Sequence, residues 1–262
     1  MEKNEAQKIR LILNVITPDN YDKKFKELRT FLFQDLRTRE ECEDDGEQYD
    51  ESAELDDEKV RMDILETIVQ NIFRKAQVEK EYCIFYGDLC EKMIKLELSL
   101  RNKKHSLQNM KISAFRRTLF EVCKQCFEKF FNEDEKKKSV ENTEKAFIFR
   151  QKLFGNLDFV GELYRRKILP ETVLVSVFSS LLGINDANSQ IDDLSVEGAI
   201  QLMNKVGENY ETRAGGKADK KEQFDTIIKK FQDYENLENE SLITNRVKIL
   251  IKNMFSNKES GW

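Results

Sequence analysis

Apolar residues recur at helical spacing along almost the whole chain, and this pattern restricts the fold more than any other feature. One stripe consists of Val60, Ile64, Leu65, Ile68, Val69, Ile72 and Phe73. A second consists of Tyr21, Phe25, Leu28, Leu32 and Leu36, and a third of Ile112, Phe115, Leu119, Val122, Cys126 and Phe130. Apolar positions three and four residues apart share one face of an α-helix, so each stripe predicts an amphipathic helix.

Only two prolines interrupt the 262 residues, and both stand at predicted helix starts. Thr17 suits an N-cap and Pro18 suits the first helical position, where the missing N–H group costs nothing. Pro170 is predicted to have the same role as Pro18. The β-branched stretch 172–182 resembles a strand, but its apolar residues also share one helical side, so we predict a buried helix there.

The apolar pattern predicts ten helices in all. Their approximate spans are 4–16, 18–37, 57–76, 80–100, 107–131, 141–168, 170–183, 192–209, 219–236 and 241–255. Short links make neighbouring helices antiparallel, and five pairs of roughly 40–50 residues each match the period of HEAT-type solenoids. We therefore predict an all-α fold, an α-solenoid of about five HEAT-like antiparallel helix pairs, within a single domain over 1–262.

The acidic residues are concentrated in one stretch. Residues 40–58 hold 12 of the 49 acidic residues and no Lys or Arg, so the rest of the chain has 44 basic against 37 acidic residues. Such a run repels itself and stays solvated, which predicts an acidic flexible loop over about 39–58. One interpretation is an insertion without a partner. The other is docking to a basic partner or masking of the chain's own basic surface.

A basic window extends from Leu98 to Phe120 and contains no acidic residue. Its cations are Arg101, Lys103, Lys104, Lys111, Arg116 and Arg117. Clustered cations without competing carboxylates suit phosphate neutralisation, so the window predicts RNA binding largely without sequence preference. A solvated helix face with no nucleic-acid partner is the alternative.

The sequence lacks the residue groups on which common catalytic and metal sites depend. The one histidine, His105, stands in a lysine-rich loop position. Cys123 and Cys126 form a lone CxxC without a second pair or a histidine at zinc spacing, so they are predicted to be core residues, as are Cys83 and Cys90. We predict no catalytic residue, no metal, no cofactor and no enzymatic activity. A hydrolase with a carboxylate-only site stays open as an alternative.

Cysteine usage and hydropathy indicate the cellular compartment of the protein. The five cysteines are scattered and nothing resembles a signal peptide, which predicts reduced thiols in the cytosol or nucleus. No apolar run approaches the ~20 residues of a membrane-spanning helix. We predict a cytoplasmic protein that makes no membrane contact.

Several segments resemble, in the correct order, the middle domain of eukaryotic translation initiation factor 4G. NLDFVGELYRRKIL at 156–169 is similar to that family's NIxFIGELFKxxML motif. LILNVITPDNYDK at 11–23 resembles its opening motif, and TNRVKILIKNMFSNKESGW at 244–262 resembles its closing motif. The segments 62–93 and 115–131 resemble its second and third repeats.

The resemblance implies a crescent-shaped, non-enzymatic HEAT-repeat scaffold of translation initiation. The implied partners are a DEAD-box RNA helicase of the initiation factor 4A type, which the scaffold binds and stimulates, together with RNA and other initiation factors. Related helicase-binding scaffolds of nonsense-mediated decay, splicing or nuclear cap binding, and a generic HEAT adaptor, are the alternatives.

We predict two groups of helicase-binding residues, the first implied by the resemblance and the second by the side of the helix at 156–166 that is expected to be exposed. The first surrounds the turn after the first helix and comprises Leu13, Asn14, Ile16, Thr17, Pro18 and Tyr21. The second lies on the later repeats and comprises Asn156, Glu162 and Arg166. The alternative for Leu13 and Ile16 is that they close the first helix pair.

Gly161 lies inside a predicted helix, where glycine costs roughly 1 kcal/mol relative to alanine. Tight packing or close approach of a partner is needed to offset that cost. Asn156, Asp158, Glu162 and Arg166 are predicted to share one exposed side of this helix. The cations at 165–167 are predicted to stabilise the helix C-terminus by typically ~0.3–1 kcal/mol each.

Overall fold

A computed structural model describes residues 3–32, 62–100, 113–131, 142–184, 191–216, 218–238 and 242–262. These ranges contain ten α-helices and two single-turn 3-10 helices but no strand. The α-helices are α1 (Lys3–Val15), α2 (Tyr21–Leu32), α3 (Met62–Val78), α4 (Cys83–Leu100), α5 (Ala114–Phe131), α6 (Thr143–Arg165), α7 (Glu171–Leu182), α8 (Asp193–Ala214), α9 (Ala218–Glu235) and α10 (Asn245–Glu259). The all-α prediction is confirmed over these residues, and the 172–182 stretch is helical. None of the described helices is long and apolar enough to cross a membrane.

Both prolines stand at helix starts, but neither is the first residue of an α-helix. Pro18 begins the 3-10 helix Pro18–Asn20, which leads into α2. Pro170 is the N-cap of α7, with φ −73° and ψ 157°. The predicted first-position role is therefore wrong for Pro170, because its extended ψ keeps it outside the helix. The predicted helical residues 33–37, 57–61 and 107–112 lie outside the described residues.

One compact unit comprises the described residues of Met1–Ala76 and Ile84–Gln125. The three predicted apolar stripes supply its interior. Their buried members in this unit are Phe25, Leu28, Leu32, Ile64, Leu65, Ile68, Val69, Ile72, Phe73, Phe115, Leu119 and Val122. Fully burying such a side chain contributes roughly 1.5–3 kcal/mol relative to leaving it exposed.

The second compact unit comprises the described residues of Gln77–Cys83 and Cys126–Trp262. Helix α8 lies at its centre and contacts α6, α7, α9 and α10. The buried ring of Tyr210 on α8 lies 6.2 Å from Tyr164 of α6, 6.4 Å from Phe178 of α7 and 5.1 Å from Phe224 of α9, measured between ring centroids. Aromatic pairs of this kind contribute roughly 0.5–1.5 kcal/mol beyond area burial, so this cluster ties three helices to α8.

The end of α6 is capped from α8. Lys167 takes a left-handed conformation (φ 60°) just after the helix. Arg213 of α8 donates hydrogen bonds to the carbonyls of Tyr164 (3.1 Å) and Arg165 (3.2 Å). The sequence analysis did not predict this role for Arg213, and a stabilising effect of the cations at 165–167 on the helix dipole stays a prediction.

Candidate partner-binding surfaces

Asn20 holds the turn between α1 and α2 in one conformation. Its Nδ2 donates to the Val15 carbonyl (2.7 Å), and its Oδ1 accepts from the Thr17 N–H group (2.8 Å). These bonds fix the backbone at a point where Asn14, Thr17 and Pro18 are exposed. Asn20 was not among the residues predicted from the sequence, although asparagine in a turn commonly bonds to nearby backbone groups.

Tyr21 is half-buried against α4. Its ring packs edge-on against Phe85 (5.3 Å between centroids), and the Lys92 ammonium group lies 4.5 Å from its centroid. Lys92 also lies 4.7 Å from the Phe25 centroid and pairs with Asp22 at 2.5 Å. The hydrogen bond from Lys92 holds the pKa of Asp22 below its ordinary value. Cation–π contacts and this ion pair therefore attach the start of α2 to α4.

Leu13 and Ile16 lie in the core of the first unit. Leu13 is 1% exposed and Ile16 is 7% exposed. Their burial matches the interpretation in which they close the first helix pair. In this conformation the surface of the turn is formed by Asn14, Thr17 and Pro18, beside the half-buried Tyr21.

The prediction that Asn156, Asp158, Glu162 and Arg166 share an exposed side of α6 is wrong. Asn156 is fully buried, Glu162 is buried, and Asp158 and Arg166 are half-buried. Helix α6 is enclosed from 153 to 164 apart from Asp158, because it packs within the second unit along most of its circumference. A helix so enclosed has no solvent side to which polar residues can point.

Buried Glu162 is neutralised by cations of its own unit. It pairs with Arg166 one turn later, and its Oε2 lies 3.5 Å from Lys205 Nζ on α8. The Asn156 amide has no hydrogen-bond partner among the described residues. Glu162 and Arg166 are therefore paired with each other within the unit.

A surface that the sequence analysis missed is formed by α6, α8 and α10. Glu197 of α8 is buried and pairs with both Arg150 of α6 and Arg246 of α10. Phe147 lies one turn before Arg150 and is 66% exposed, and Ile249 lies one turn after Arg246 and is also exposed. This α6–α8–α10 surface, defined by these five residues, combines exposed apolar groups with two arginines.

Most of the predicted RNA-binding residues lie outside the described residues, namely Arg101, Lys103, Lys104 and Lys111. Arg116 and Arg117 are on the first turn of α5. Arg117 is exposed, whereas Arg116 is half-buried with its guanidinium 5.0 Å from the centroid of the Phe120 ring. Burial lowers the pKa of Arg116 from its ordinary value. Arg117 is therefore the better placed of the two to meet phosphate.

The predicted core position of the cysteines is confirmed for Cys83, Cys90 and Cys123, which are buried, and Cys126 is half-buried. Burial raises the pKa of the Cys83 thiol to about 11. Within the described part of the chain, no group of His, Cys, Asp and Glu side chains is arranged to hold a metal ion.

Trp262 folds back onto α8. Its ring lies against Gly207, where a Cβ atom would come within 2.6 Å of ring carbons. The indole Nε1–H group donates to Glu211 Oε2 (2.9 Å), and Lys258 donates to Glu211 Oε1 (2.5 Å). Glu211 therefore joins the last residue of the chain to both α8 and α10.

Acidification is expected to release Trp262 before the whole protein unfolds. Burial alone raises the pKa of Glu211, but hydrogen bonds from Lys258 and Trp262 outweigh it and hold this pKa below the ordinary value of 4.5. The carboxylate's contribution to stability is therefore complete above pH 4.5 and is lost as pH falls through the lowered pKa. Trp262 is the only tryptophan, so its emission should shift to the red in this acid range. Glu211→Gln should abolish the step, and an identical step in that variant would contradict the assignment.

The MIF4G domain family model matches residues 6–261 of the chain. The chain is 25% identical to a protein of Triticum aestivum named eukaryotic translation initiation factor 4G, over 100% of this chain and 15% of that protein. It is 23% identical to eukaryotic translation initiation factor 4 gamma 1 of Mus musculus, over 98% of this chain and 14% of that protein. The chain thus spans only about one seventh of the length of these relatives.

A solved structure has the same fold. It is the crystal structure of the MIF4G domain of Trypanosoma cruzi translation initiation factor EIF4G5, with a TM-score of 0.54 and 15% sequence identity. The match covers 99% of this chain and 97% of that one. This likeness establishes the predicted all-α solenoid class.

Proposed function

Since this chain belongs to the MIF4G domain family, we propose that it is a non-enzymatic scaffold domain of translation initiation that binds and stimulates a DEAD-box RNA helicase of the initiation factor 4A type and contacts RNA. The observation that carries this proposal is the match of the family model to residues 6–261. Relatives named as initiation factor 4G match over the whole chain and point the same way. A role in translation also favours a cytoplasmic location.

The scaffold acts by selecting among arrangements of the helicase. A DEAD-box helicase alternates between open and closed arrangements of its two lobes, and a scaffold shifts that equilibrium only by binding some arrangements better than others. One contact would tether the helicase without constraining its lobes. Two contacts make the second binding event intramolecular, with a high effective concentration. The proposal therefore has one contact on each compact unit.

The first contact is the exposed turn at Asn14, Thr17 and Pro18, with the half-buried Tyr21 beside it. Three features support this position. The turn side chains are exposed, Asn20 fixes the backbone in advance, and the Tyr21 ring supplies an aromatic group. A preorganised surface loses little conformational entropy on binding.

The second contact is the α6–α8–α10 surface. Asn156 and Glu162 are too buried to meet a partner. Phe147, Ile249, Arg150 and Arg246 take their place as the contact residues. Aromatic, aliphatic and arginine side chains carry much of the binding energy of protein interfaces. Glu197 holds the two arginines in place by pairing with both.

The test measures the ATPase activity of an initiation helicase with and without the domain. Asn14→Arg combined with Thr17→Arg adds bulk and charge at exposed positions and is expected to weaken helicase affinity by about tenfold or more. Phe147→Ser combined with Ile249→Ser is expected to weaken the second contact, so that the helicase is held mainly by the first. The maximal stimulation of its ATPase activity should therefore fall. Binding is measured by titration, and the melting temperature of each variant is recorded beside it.

The controls separate binding from folding. Gln223→Arg changes an exposed residue of α9 and should leave affinity and melting temperature unchanged. Changing Leu13 and Ile16 is unsuitable as a binding test, because truncating buried aliphatic residues costs roughly 2–5 kcal/mol of stability each. A helicase that binds both double variants as tightly as the wild type would overturn the proposed contacts. A purified domain that neither binds nor stimulates any initiation helicase would overturn the function.

Charge reversal in the basic window is expected to weaken RNA binding and flatten its salt dependence. The variant changes Arg101, Lys103, Lys104 and Arg117 to Glu and leaves Arg116, which packs over Phe120. Each phosphate contact contributes about 0.7 to the logarithmic salt slope for a single strand, so loss of four contacts lowers the slope by roughly 3. Affinity for a labelled oligouridylate is measured across salt concentrations.

The matched control carries the same charge change on exposed residues elsewhere. It changes Lys23, Lys152, Lys221 and Lys229 to Glu. Equal loss of affinity in both variants would show that only net charge matters, and unchanged affinity in the first would make the window a solvated face.

Scaffolds of nonsense-mediated decay, splicing or nuclear cap binding remain the second candidates. Preference for a helicase of one of those pathways in the helicase titration would favour them.

A further inference from the structure

A groove in the first unit is lined by α1 and α2 and lies next to the turn discussed above, because Val15 at the end of α1 lines it. It encloses about 650 Å³. Its apolar residues are Leu11, Ile12, Val15 and Phe31. Leu11 is 63% exposed and Val15 is 50% exposed, whereas Ile12 is buried at the base. Large apolar side chains exposed side by side along a groove indicate an interaction surface.

The groove is shaped for a helix. Lys8, Leu11, Ile12 and Val15 follow the i, i+3, i+4, i+7 spacing of one face of α1, which is 13 residues long. From Lys8 to Val15 this face extends over about 10 Å at 1.5 Å per residue, enough for roughly two turns of a partner helix. A ridge of side chains at this spacing accepts a second helix whose apolar residues have the same spacing.

The charges on the groove indicate the partner's chemistry. Lys8, Lys24 and Lys26 line its sides, and Glu27 is the one carboxylate among the described lining residues. Glu27 pairs with Lys24 at 2.8 Å, which leaves Lys8 and Lys26 as the excess charge. We propose that this groove binds an acidic amphipathic helix of a partner protein, with its apolar face on Leu11 and Val15 and its carboxylates beside Lys8 and Lys26.

Two other occupants fit less well. A second copy bound through this groove would form an isologous contact, which brings together two grooves with the same excess of lysine. Like charges directly opposed destabilise such a contact. An anionic membrane matches the charge, but a flat surface does not reach Ile12 at the base of a groove.

The experiment measures binding of a fluorescein-labelled peptide to the full chain by anisotropy. The peptide is an amphipathic helix of about four turns with leucine on one face and glutamate on the other. A second peptide has lysine in place of glutamate. We expect the glutamate peptide to bind at least about tenfold more tightly than the lysine peptide. Leu11→Ser combined with Val15→Ser should reduce its affinity by about tenfold or more.

Charge exchange is the decisive step. Lys8→Glu combined with Lys26→Glu should reverse the preference, so that the lysine peptide binds better. Val78→Ser with Leu242→Ser is the matched control, since it removes exposed apolar groups from the other unit and should leave peptide binding unchanged. Melting temperatures should be unaffected throughout, because every changed side chain is exposed.

Several outcomes would overturn the proposal. Equal binding of the two peptides, or binding that is insensitive to Leu11 and Val15, would remove its basis. A dimer in sedimentation that is lost in the Leu11 and Val15 variant would make a second copy the occupant. Binding to phosphatidylserine vesicles that competes with the peptide would make it a lipid surface. Peptide binding seen only after residues 40–58 are deleted would make the chain's own acidic stretch the occupant.

Discussion

Replacing Gly155 with alanine is expected to destabilise the second unit by about 3 kcal/mol. A Cβ atom at this position would lie 2.1 Å from the backbone carbonyl oxygen of Gln77 and 2.7 Å from its carbonyl carbon. Gln77 belongs to helix α3, so its backbone has no rotamer by which to move away. Overpacking typically costs roughly 1–3 kcal/mol, and the gain in helix propensity of about 1 kcal/mol offsets only part of a backbone clash of this size.

The measurement is thermal unfolding followed by far-ultraviolet circular dichroism. A loss of about 3 kcal/mol corresponds to a fall in melting temperature of roughly 6–12 °C for a chain of this size. Gly161→Ala is the matched control in the same helix. Its Cβ would meet Lys205 Cδ at 2.9 Å, and this flexible side chain can shift. We expect Gly161→Ala to stay within about 1 kcal/mol of the wild type, and equal melting of the two variants would contradict the backbone contact.

These two glycines show what the sequence could not predict. Gly161 interrupts a helical pattern and so suggested close packing, whereas Gly155 interrupts the same helix and was not predicted to matter. Nothing in the local sequence distinguishes them, since the difference lies in whether a backbone or a lysine side chain stands opposite. Tertiary packing decides which residue lies opposite a given helix position, and the sequence of the surrounding helical turn does not.

The helices themselves were predicted well because their determinants are local. Apolar spacing of 3.6 residues reports which side of a helix faces the core, and that information is contained within a few turns. The described helices therefore match the predicted ones, apart from their ends. Helix α8, for example, was predicted to end at 209 but ends at Ala214. No glycine or proline stands at 209 to mark the end of a helix.

The candidate sites were predicted less well because exposure depends on distant partners. Asn156 and Glu162 are polar and so suggested a solvent side, but Glu162 is neutralised by Arg166 and by Lys205, which lies on another helix. The link from Arg150 to Glu197 joins residues 47 positions apart and requires the register of α6 against α8. Periodicity within one helix contains no information about that register.

Replacing Glu97 with alanine is expected to destabilise the first unit by about 3–5 kcal/mol. Glu97 is fully buried on α4. Its carboxylate accepts hydrogen bonds from the N–H groups of Ala114 (2.6 Å) and Phe115 (3.0 Å) and from the Ser113 hydroxyl (2.7 Å). A charged acceptor near a helix N-terminus also interacts favourably with the helix dipole. Hydrogen bonds to a charged group contribute roughly 1.5–3 kcal/mol each, and water entering the space left by truncation recovers part of the loss.

Glu97 supplements the local cap of α5 from a neighbouring helix. Ser113 accepts a hydrogen bond from the Arg116 N–H group (3.1 Å), which is the usual N-cap contact. Glu97 then satisfies two further N–H groups of the first turn that would otherwise be buried without partners. Loss of the carboxylate therefore affects the whole start of α5, including the position of Arg117.

Two substitutions test this account against simple loss of packing. Glu97→Gln keeps the size of the side chain but turns one acceptor into a donor that faces other donors, so we expect a loss smaller than that of alanine but above about 1 kcal/mol. Glu121→Ala changes an exposed glutamate of α5 and should stay within about 0.5 kcal/mol of the wild type. If Glu97→Gln melts like the wild type, the three hydrogen bonds contribute little and the carboxylate is only space-filling. If Glu97→Ala also weakens RNA binding at a temperature where the protein is still folded, the same cap positions the last cations of the basic window, Arg116 and Arg117.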